Sequence, residues 1–282
     1  MPAVPAVRAA FVDEMARRPP DLVSPAGSRT WTVCGTNFVV ALTDLAAGDA
    51  LDEHDLPDEY MLLVPGHEPL IVNHGGGSTV ASTEPCLIIV PAGTSTVHAE
   101  SPTTIVRVFA AHTAAAMQRA YNYAEPRDPA VAPLTRGAHG DPGQITVHRL
   151  SEVPDEPGRL GRIFRSTSLM LNWFPTRTGP RDTEALSPHS HEDFEQMSVT
   201  LEGDFVHHFR SPWTPRMSEW REDQHVEVGS PSMVLIPPNL VHTTRWVGDG
   251  EHILIDVFAP PRADFLARGW VLNADDYPGA GE

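Results

Sequence analysis

The chain has 282 residues, a formal net charge of −17 at pH 7 and two cysteines, Cys34 and Cys86. This length allows one large domain or two of ordinary size. The charge argues against nucleic acid and anionic membrane surfaces as partners, because both need a basic footprint on the protein. Two cysteines provide neither a disulfide framework nor a zinc-ribbon spacing, so we expect two reduced, partly buried thiols.

The first half of the chain is predicted to contain one short helix followed by many short strands. Residues Val4 to Arg17 form a candidate amphipathic helix that ends at Pro19 and Pro20 and lacks the apolar region of a secretory signal. No apolar run in the chain approaches the roughly 18 residues needed to cross a bilayer, so we expect a cytoplasmic protein. The following segments are rich in β-branched or aromatic residues and are bounded by Gly, Pro or Asp, as strands are: TWTVCGTNFVVAL, EYMLLVPG, PLIVNH, CLIIVPAG and TTIVRVFAAH.

A helix and a connector separate these strands from a second set. The run TAAAMQRAYNY, from Thr113 to Tyr123, is predicted to be helical. The Pro/Gly-rich stretch after it contains the predicted boundary between a domain of residues 1–125 and a domain of residues 126–282. A short helix and a tail are expected at the end of the chain. The second set of strands comprises STSLMLNWFP, FEQMSVTLEGDFVHHFR, SMVLIPP, VHTTRWV and HILIDVFAPP.

The two sets of strands resemble each other in order and spacing. EYMLLVPG corresponds to EQMSVTLEG, LIIVPAGTSTVHA to MVLIPPNLVHTT, and TIVRVFA to ILIDVFA. An internal repeat of this kind predicts two copies of one β unit, each about the size of a small barrel domain. The sequence therefore predicts an all-β protein with two tandem barrels and a few short helices.

The stretch SPHSHEDFEQMSVTLEGDF carries two histidines one residue apart and a glutamate four residues later. His189, His191 and Glu195 have the parity of one strand face, which Met197 and Val199 continue with apolar groups. Imidazole and carboxylate are ligands for borderline divalent metals such as Fe, Mn, Ni, Cu and Zn. The opposite face is polar and is expected to be covered by water: Ser190, Glu192, Gln196, Ser198 and Thr200.

A fourth group comes from the segment GSPSMVLIPPNLVHTTRW. Pro237, Pro238 and Asn239 are predicted to form a turn after a buried strand, and Asn tolerates the positive φ that such a turn needs. His242 follows at the start of the next strand. It is expected to complete a site of three histidines and one glutamate.

The order Gly-spacer-His-x-His-x3-Glu-spacer-Gly, followed by Gly-spacer-Pro-x4-His, resembles the two motifs of the cupin superfamily. The resemblance implies a double-stranded β-helix, or jelly-roll, barrel in each half, which makes the chain a bicupin. It also implies one divalent metal ion per chain in the C-terminal barrel. Asn239 stands where the second motif has glycine, and no glycine stands at the usual place before the first histidine, but neither departure removes a ligand. The implied metal ligands are His189, His191, Glu195 and His242.

The N-terminal half is similar to a degenerate copy of the same barrel. Glu59 and His98 correspond to the glutamate and the last histidine of the C-terminal set, while His54 alone stands at the His-x-His positions. We therefore expect the N-terminal barrel to have lost its metal and to serve structure.

Two further residues are candidates for catalysis. His207, in FVHHFR, is expected either to face the pocket as a base or substrate contact, or to be an exposed strand histidine. Arg165 is a candidate for holding a substrate carboxylate.

A metal with four protein ligands keeps one or two positions for water, dioxygen or a chelating substrate. We place first a non-haem Fe(II) dioxygenase that acts on a small hydroxylated aromatic or oxo acid, with Mn, Ni, Zn and Cu as alternative metals. A redox-neutral isomerase, epimerase or lyase and a non-catalytic small-molecule-binding bicupin are the alternatives. The resemblance also implies a homodimer.

Overall fold

The computed structural model describes residues 7–134, 143–154, 156 and 158–278. Short strands dominate these residues, as the sequence predicts, and none of the helices in them is long and apolar enough to span a membrane. The first eleven strands are β1 (Phe11–Glu14), β2 (Leu22–Val23), β3 (Arg29–Cys34), β4 (Phe38–Leu45), β5 (Ala50–Leu56), β6 (Tyr60–Val64), β7 (Leu70–His74), β8 (Ser78–Ser82), β9 (Cys86–Val90), β10 (Gly93–Ala99) and β11 (Thr103–Ala110).

Helix α1 (Ala114–Gln118) separates these strands from the later ones, and α2 (Ala263–Ala267) follows the last strand. Single 3-10 turns lie at Met15–Arg17, Leu150–Glu152, Met217–Glu219 and Ala274–Asp276. The later strands are β12 (Thr146–Arg149), β13 (Arg162–Arg165), β14 (Met170–Trp173), β15 (Arg177–Thr178), β16 (Gln196–Glu202), β17 (Asp204–Arg210), β18 (Gln224–Val228), β19 (Ser232–Ile236), β20 (Val241–Val247) and β21 (Glu251–Phe258).

The chain forms two compact units, and each is assembled from separate stretches of sequence. The C-terminal unit comprises the described residues within 1–19, 126–133 and 171–258. The N-terminal unit comprises those within 20–125, 134–170 and 259–282. The boundary after residue 125 along the sequence stays a prediction.

The N-terminal unit contains two antiparallel sheets, with strand orders β12-β9-β6-β11-β4-β3-β2 and β5-β10-β7-β8. Alternate residues of its strands enter one apolar core, as the period of two in a strand requires. Tyr60 and Leu62 of β6, for example, pack there with Ile88 of β9. Cys34 and Cys86 are both buried in this unit and form no disulfide.

The C-terminal unit contains a larger sheet, with the strand order β1-β19-β16-β21-β14, and a smaller sheet of order β18-β17-β20. Strands β16 and β17 form a hairpin that turns at Gly203, where φ is +86°. A Cβ atom at this position would approach the carbonyl oxygen of Glu251 to 2.6 Å, so glycine fits both the conformation and the space. The smaller sheet and the facing strands of the larger sheet enclose the interior in which the predicted site lies.

The N-terminal segment is a strand where the sequence predicted a helix over residues 4–17. β1 pairs antiparallel with β19 and places Val12 opposite Val234. The apolar positions of this segment are thus buried by a sheet neighbour, and pairing outweighs the weak helical preference of so short a segment. Residues 4–6 of the prediction lie outside the described part of the chain.

The helix predicted for Thr113 to Tyr123 is also shorter than expected, because α1 ends at Gln118. The side chain of Asn122 explains the early end. Its Oδ1 accepts from the N–H of Cys34 at 2.9 Å, and its Nδ2 donates to the carbonyl of the same residue at 2.8 Å. This pair of hydrogen bonds extends the edge of β3 and draws the chain out of a helical path.

Glu59, which the repeat aligns with Glu195, is part of a buried hydrogen-bond network in the N-terminal unit. Its Oε1 accepts from the backbone N–H of Thr167 at 2.5 Å, and its Oε2 accepts from the hydroxyl of Tyr277 at 3.1 Å. Burial raises the pKa of the Glu59 carboxyl above its ordinary value of 4.5, and the hydrogen bonds offset only part of that rise. The carboxyl therefore links Thr167 and Tyr277 to the residue that precedes β6.

We expect Glu59→Gln to make the stability of the protein less dependent on pH. Because the pKa of Glu59 is higher in the folded than in the unfolded chain, its contribution to stability is full below about pH 4.5 and is lost as the pH rises through the folded pKa. The amide has no proton to lose over that range. Urea unfolding followed by fluorescence, at several values between about pH 4.5 and pH 8, should show a smaller fall in the free energy of unfolding than in the wild type. The exposed Asp52, changed to Asn, serves as the control, and equal slopes for wild type and Glu59→Gln would contradict the prediction.

Candidate metal centre

Three histidines of the C-terminal unit form a compact cluster. The nitrogen atoms that His189, His191 and His242 offer to a metal lie within 4.8 Å of one another. The ring centroids are 4.4 Å apart for His189 and His242, 5.0 Å for His189 and His191, and 5.2 Å for His191 and His242. His191 and His242 are buried, whereas His189 is exposed, so the cluster lies at the mouth of the interior.

Backbone hydrogen bonds hold the three residues together. His189 and His242 form an isolated antiparallel bridge, with N–H to carbonyl distances of 3.0 and 2.8 Å in the two directions. The N–H of Asn239 donates to the carbonyl of His191 at 2.6 Å. Asn239 has a φ of +63°, which confirms the predicted turn before His242.

Hydrogen bonds also fix the tautomers of two of the rings. Nδ1 of His189 lies 2.9 Å from the carbonyl oxygen of Ser187, and Nδ1 of His242 lies 2.9 Å from that of Leu240. A carbonyl oxygen only accepts, so both Nδ1 atoms carry the hydrogen and both Nε2 atoms carry the lone pair. Histidines that bind metals in proteins are commonly oriented in this way. The residues therefore fit a divalent metal ion.

Glu195 does not share a strand with the histidines, so the prediction of one continuous strand face was wrong. His189 is a single bridge residue, residues 190–195 form an irregular segment, and β16 begins at Gln196. The turn that brings His191 to Asn239 replaces the extended conformation that the parity argument assumed. Glu195 is buried, but the histidine cluster does not include it, and its role as a ligand stays a prediction.

The polar face of β16 points into the barrel, although the sequence predicted that water covers it. Gln196 lies opposite Ile236 of β19. Ile236 packs against Phe209 of β17, and Phe209 lies opposite His242. Gln196 therefore faces the interior that holds the cluster, and Ser198 follows it on the same face.

The opposite face of β16 is also buried. Met197 and Val199 are both fully buried, as are Ser198 and Thr200 on the inner face. A strand that is covered on both sides gives no water-facing row of polar residues. This is why the hydrophobic pattern identified the strand but assigned the wrong face to the interior.

A chain of hydrogen bonds runs from His191 along this inner face. Oε1 of Gln196 lies 3.1 Å from Nε2 of His191, and Nε2 of Gln196 donates to Oγ of Ser198 at 3.0 Å. Oγ of Ser198 donates in turn to Oδ1 of Asp256 at 2.7 Å. Gln196 and Ser198 were expected on the water-covered face, and no role was predicted for Asp256. The signal was Asp256 itself, an acidic residue inside the apolar strand HILIDVF.

His207 also faces the interior, which decides between the two locations considered for it. It is fully buried on β17, opposite Thr244, and its Nδ1 lies 2.8 Å from Oγ1 of that threonine. Its Nε2 is buried and has no hydrogen-bond partner among the residues that the structure describes. Burial, and secondarily the charge of His242, lower the pKa of His207 to about 3, so the ring is neutral near pH 7.

Arg165 lies in the N-terminal unit, whereas the histidine cluster belongs to the C-terminal unit. Its Nε donates to the carbonyl of Ser166 at 3.1 Å and its Nη2 to that of Thr167 at 3.4 Å. The guanidinium also lies over the ring of Tyr277, 5.2 Å from the centroid. These contacts tie Arg165 to the same buried network as Glu59, and its catalytic role stays a prediction.

No protein-family model matches the chain, and no curated protein matches it either. Solved structures do match. A Cupin 2 conserved barrel domain protein from Leptotrichia buccalis is similar with a TM-score of 0.50 and 10% identity, over 90% of this chain and 97% of that one. Oxalate decarboxylase from Lactobacillus farciminis, in a formate complex, is similar with a TM-score of 0.57 and 13% identity, over 95% of this chain and 92% of that one. The chain folds as a bicupin.

A third structure similar to this bicupin is AerE from Microcystis aeruginosa, with a TM-score of 0.57 and 11% identity, over 88% of this chain and 98% of that one. These likenesses confirm the predicted jelly-roll barrels and the bicupin architecture. The identities are too low for the likenesses to specify a reaction.

Proposed function

We propose that this bicupin is a divalent-metal-dependent enzyme acting on a small oxygen-rich organic molecule. The observation that carries the proposal is the cluster of His189, His191 and His242, with ligand atoms within 4.8 Å of one another. Imidazole donors suit Fe, Ni, Cu and Zn, and the metal, when bound, would polarise an oxygen atom of the substrate as a Lewis acid. Glu195 as the fourth ligand remains a prediction from the resemblance.

His207 supports a redox-neutral reaction as the first candidate. Its neutral ring lies on the same inner face as Phe209, which is opposite His242, so the ring is close to the cluster. Thr244 holds Nδ1, and the buried Nε2 faces the interior, where it would exchange a proton with the substrate. Proton transfer beside a Lewis acid is the chemistry of isomerases, epimerases and lyases. One of the similar structures is an oxalate decarboxylase, and decarboxylases are lyases.

A non-haem Fe(II) dioxygenase is the second candidate. A set of three imidazoles suits Fe(II), and positions that protein ligands do not fill would serve a chelating substrate and dioxygen. In this reaction the histidines would hold the iron and the barrel interior would exclude water. The predicted homodimer is compatible with either reaction.

Metal content and the requirement for oxygen test the proposal together. The protein would be purified anaerobically, its metals measured by mass spectrometry, and its turnover of hydroxylated aromatic, hydroxy and oxo acids compared under nitrogen and in air. About one metal per chain with equal turnover in both atmospheres is expected for the redox-neutral enzyme. Turnover in air alone would establish the dioxygenase, and binding of the compounds without turnover would leave a small-molecule-binding protein.

We expect His207→Gln to lower turnover by about 10²–10⁴-fold while the metal content is unchanged, because the substitution removes a base but no ligand. His208→Gln is the matched control. His208 is the next residue of β17, and its side chain points to the opposite face, where it lies 2.6 Å from His225. A His207→Gln variant with wild-type turnover would show that the imidazole has no catalytic role.

A further inference from the structure

The geometry points to Gln196, rather than Glu195, as the fourth protein ligand of the metal, acting through its amide oxygen Oε1. The inference rests on the proposed metal centre and specifies its ligand set. The set becomes three imidazoles and one neutral amide in place of three imidazoles and one carboxylate.

The position of the amide oxygen is the first argument. Oε1 of Gln196 lies 3.1 Å from Nε2 of His191. Two donor atoms that bind one divalent metal at about 2.1 Å and at right angles lie about 3 Å apart. The two atoms therefore already have the separation of neighbouring ligands. Gln196 is also 3% exposed, so its amide is not available to bulk solvent.

The orientation of the amide is the second argument. The carboxylate of Asp256 accepts from Oγ of Ser198, so that hydroxyl has its hydrogen committed and must accept from Gln196. Only the NH2 group of the amide donates. The network thus fixes Nε2 of Gln196 toward Ser198 and turns Oε1, the atom that binds metals, toward His191.

The position of Glu195 is the third argument. Gln196 opens β16 with its side chain in the interior. Glu195 lies before it, in the irregular segment of residues 190–195, so the alternation of β16 does not bring its carboxylate to the face of Gln196. In agreement, the group of metal-ligating atoms within 4.8 Å contains the three histidines and not Glu195.

The hydrogen bond between His191 and Gln196 also has a consequence for the tautomer of His191. Oε1 of Gln196 only accepts, so Nε2 of His191 carries the hydrogen in the structure described. For Nε2 to become a ligand, that hydrogen must move to Nδ1. Loading with a metal is therefore expected to reverse the tautomer of His191 and to release Oε1 for the same ion.

A neutral fourth ligand changes the chemistry of the site. Without a carboxylate, the protein does not offset the double positive charge of the ion, which makes the ion a stronger Lewis acid. An amide also cannot accept a proton at neutral pH, so Gln196 does not replace His207 as a base.

Binding of Co(II) to the full-length protein tests the inference. Its affinity would be measured by competition with a chelator and its coordination by visible absorption. We expect Gln196→Leu to weaken binding by about 10–100-fold and to change the absorption bands. Gln196→Glu keeps an oxygen at this position and should retain Co(II) with a shifted spectrum. Glu195→Leu, the matched control at the adjacent residue, should bind within about threefold of wild type and with the same spectrum.

The opposite pattern, with weak binding and an altered spectrum in Glu195→Leu and wild-type behaviour in Gln196→Leu, would overturn the inference. Circular dichroism of each variant shows whether it is folded. The variant His191→Ala distinguishes a failure of this inference from a failure of the proposed metal centre. If wild type binds Co(II) and His191→Ala does not, the metal centre stands and the Gln196 variants decide the ligand. If wild type binds no Co(II), the proposed function fails and the inference fails with it.

Discussion

Replacing His242 with alanine is expected to reduce the metal content from about one ion per chain to less than about a tenth of that. His242 is buried, its Nδ1 is held by the carbonyl of Leu240, and its backbone pairs with His189. The substitution removes one of three imidazoles and leaves a cavity that water fills but that donates no comparable ligand. Loss of a protein ligand costs more than the 10–100-fold that loss of an orienting partner costs. Mass spectrometry of the purified variant, after dialysis against a fixed metal concentration, measures the effect.

The matched control for this prediction is Thr243→Ala. Thr243 is the next residue of β20, lies opposite His208 and points to the other face of the sheet. We expect it to retain about one metal per chain. A His242→Ala protein that is folded and carries a full complement of metal would exclude the histidine cluster as the metal centre.

Replacing Asp13 with alanine is expected to destabilise the C-terminal unit by about 3–5 kcal/mol. The Nε–H of Arg18 is shared between the two carboxylate oxygens of Asp13, at 2.7 and 2.9 Å, and Nη2 donates to Oδ2 at 2.7 Å. The side chains of the pair are 5% and 9% exposed. Removing the carboxylate takes from a buried guanidinium the counter-charge that Asp13 supplies, and this costs far more than the pair itself contributes.

Urea unfolding of the Asp13→Ala variant measures this loss. The ion pair of Arg29 with Asp44, on the N-terminal unit, is the control, because its side chains are 57% and 36% exposed. Asp44→Ala should cost less than about 1 kcal/mol, since water screens an exposed pair. The double variant Asp13→Leu with Arg18→Met should recover most of the stability. If Asp13→Ala and Asp44→Ala cost the same, burial does not control the strength of these pairs.

The repeated strand pattern was sufficient to predict the fold, because many short β-branched segments bounded by Gly and Pro leave few alternatives. The same pattern predicted the three histidines, since a pair one residue apart and a third after a proline turn are specific features. The wrong prediction of a helix over residues 4–17 could not be corrected from local sequence. The strand found there depends on a pairing between Val12 and Val234, which are distant in the sequence.

The inner and outer faces of β16 could not be predicted for a similar reason. An alternation of apolar and polar residues identifies the inner face of a strand when the other face meets water, but both faces of β16 are buried. The apolar residues Met197 and Val199 were therefore assigned to the inner face, and the polar residues Gln196 and Ser198 to the surface. In the structure Gln196 and Ser198 are on the inner face, and Met197 and Val199 are on the outer one. Polar residues are tolerated inside because they bond to each other and to Asp256.

The assembly of each unit from distant stretches of chain sets the order in which the protein can be completed during synthesis. Phe11 of β1 pairs with Leu235 of β19, which lies far later in the sequence. Glu59 of the N-terminal unit receives its hydrogen bond from Tyr277, which is made after residues 171–258 of the C-terminal unit. The N-terminal barrel therefore cannot reach its final hydrogen bonding until residues 171–258 of the C-terminal barrel have been translated. A nascent chain keeps the N-terminal barrel incomplete during that interval, and it depends on chaperones then more than a chain of two consecutive domains would.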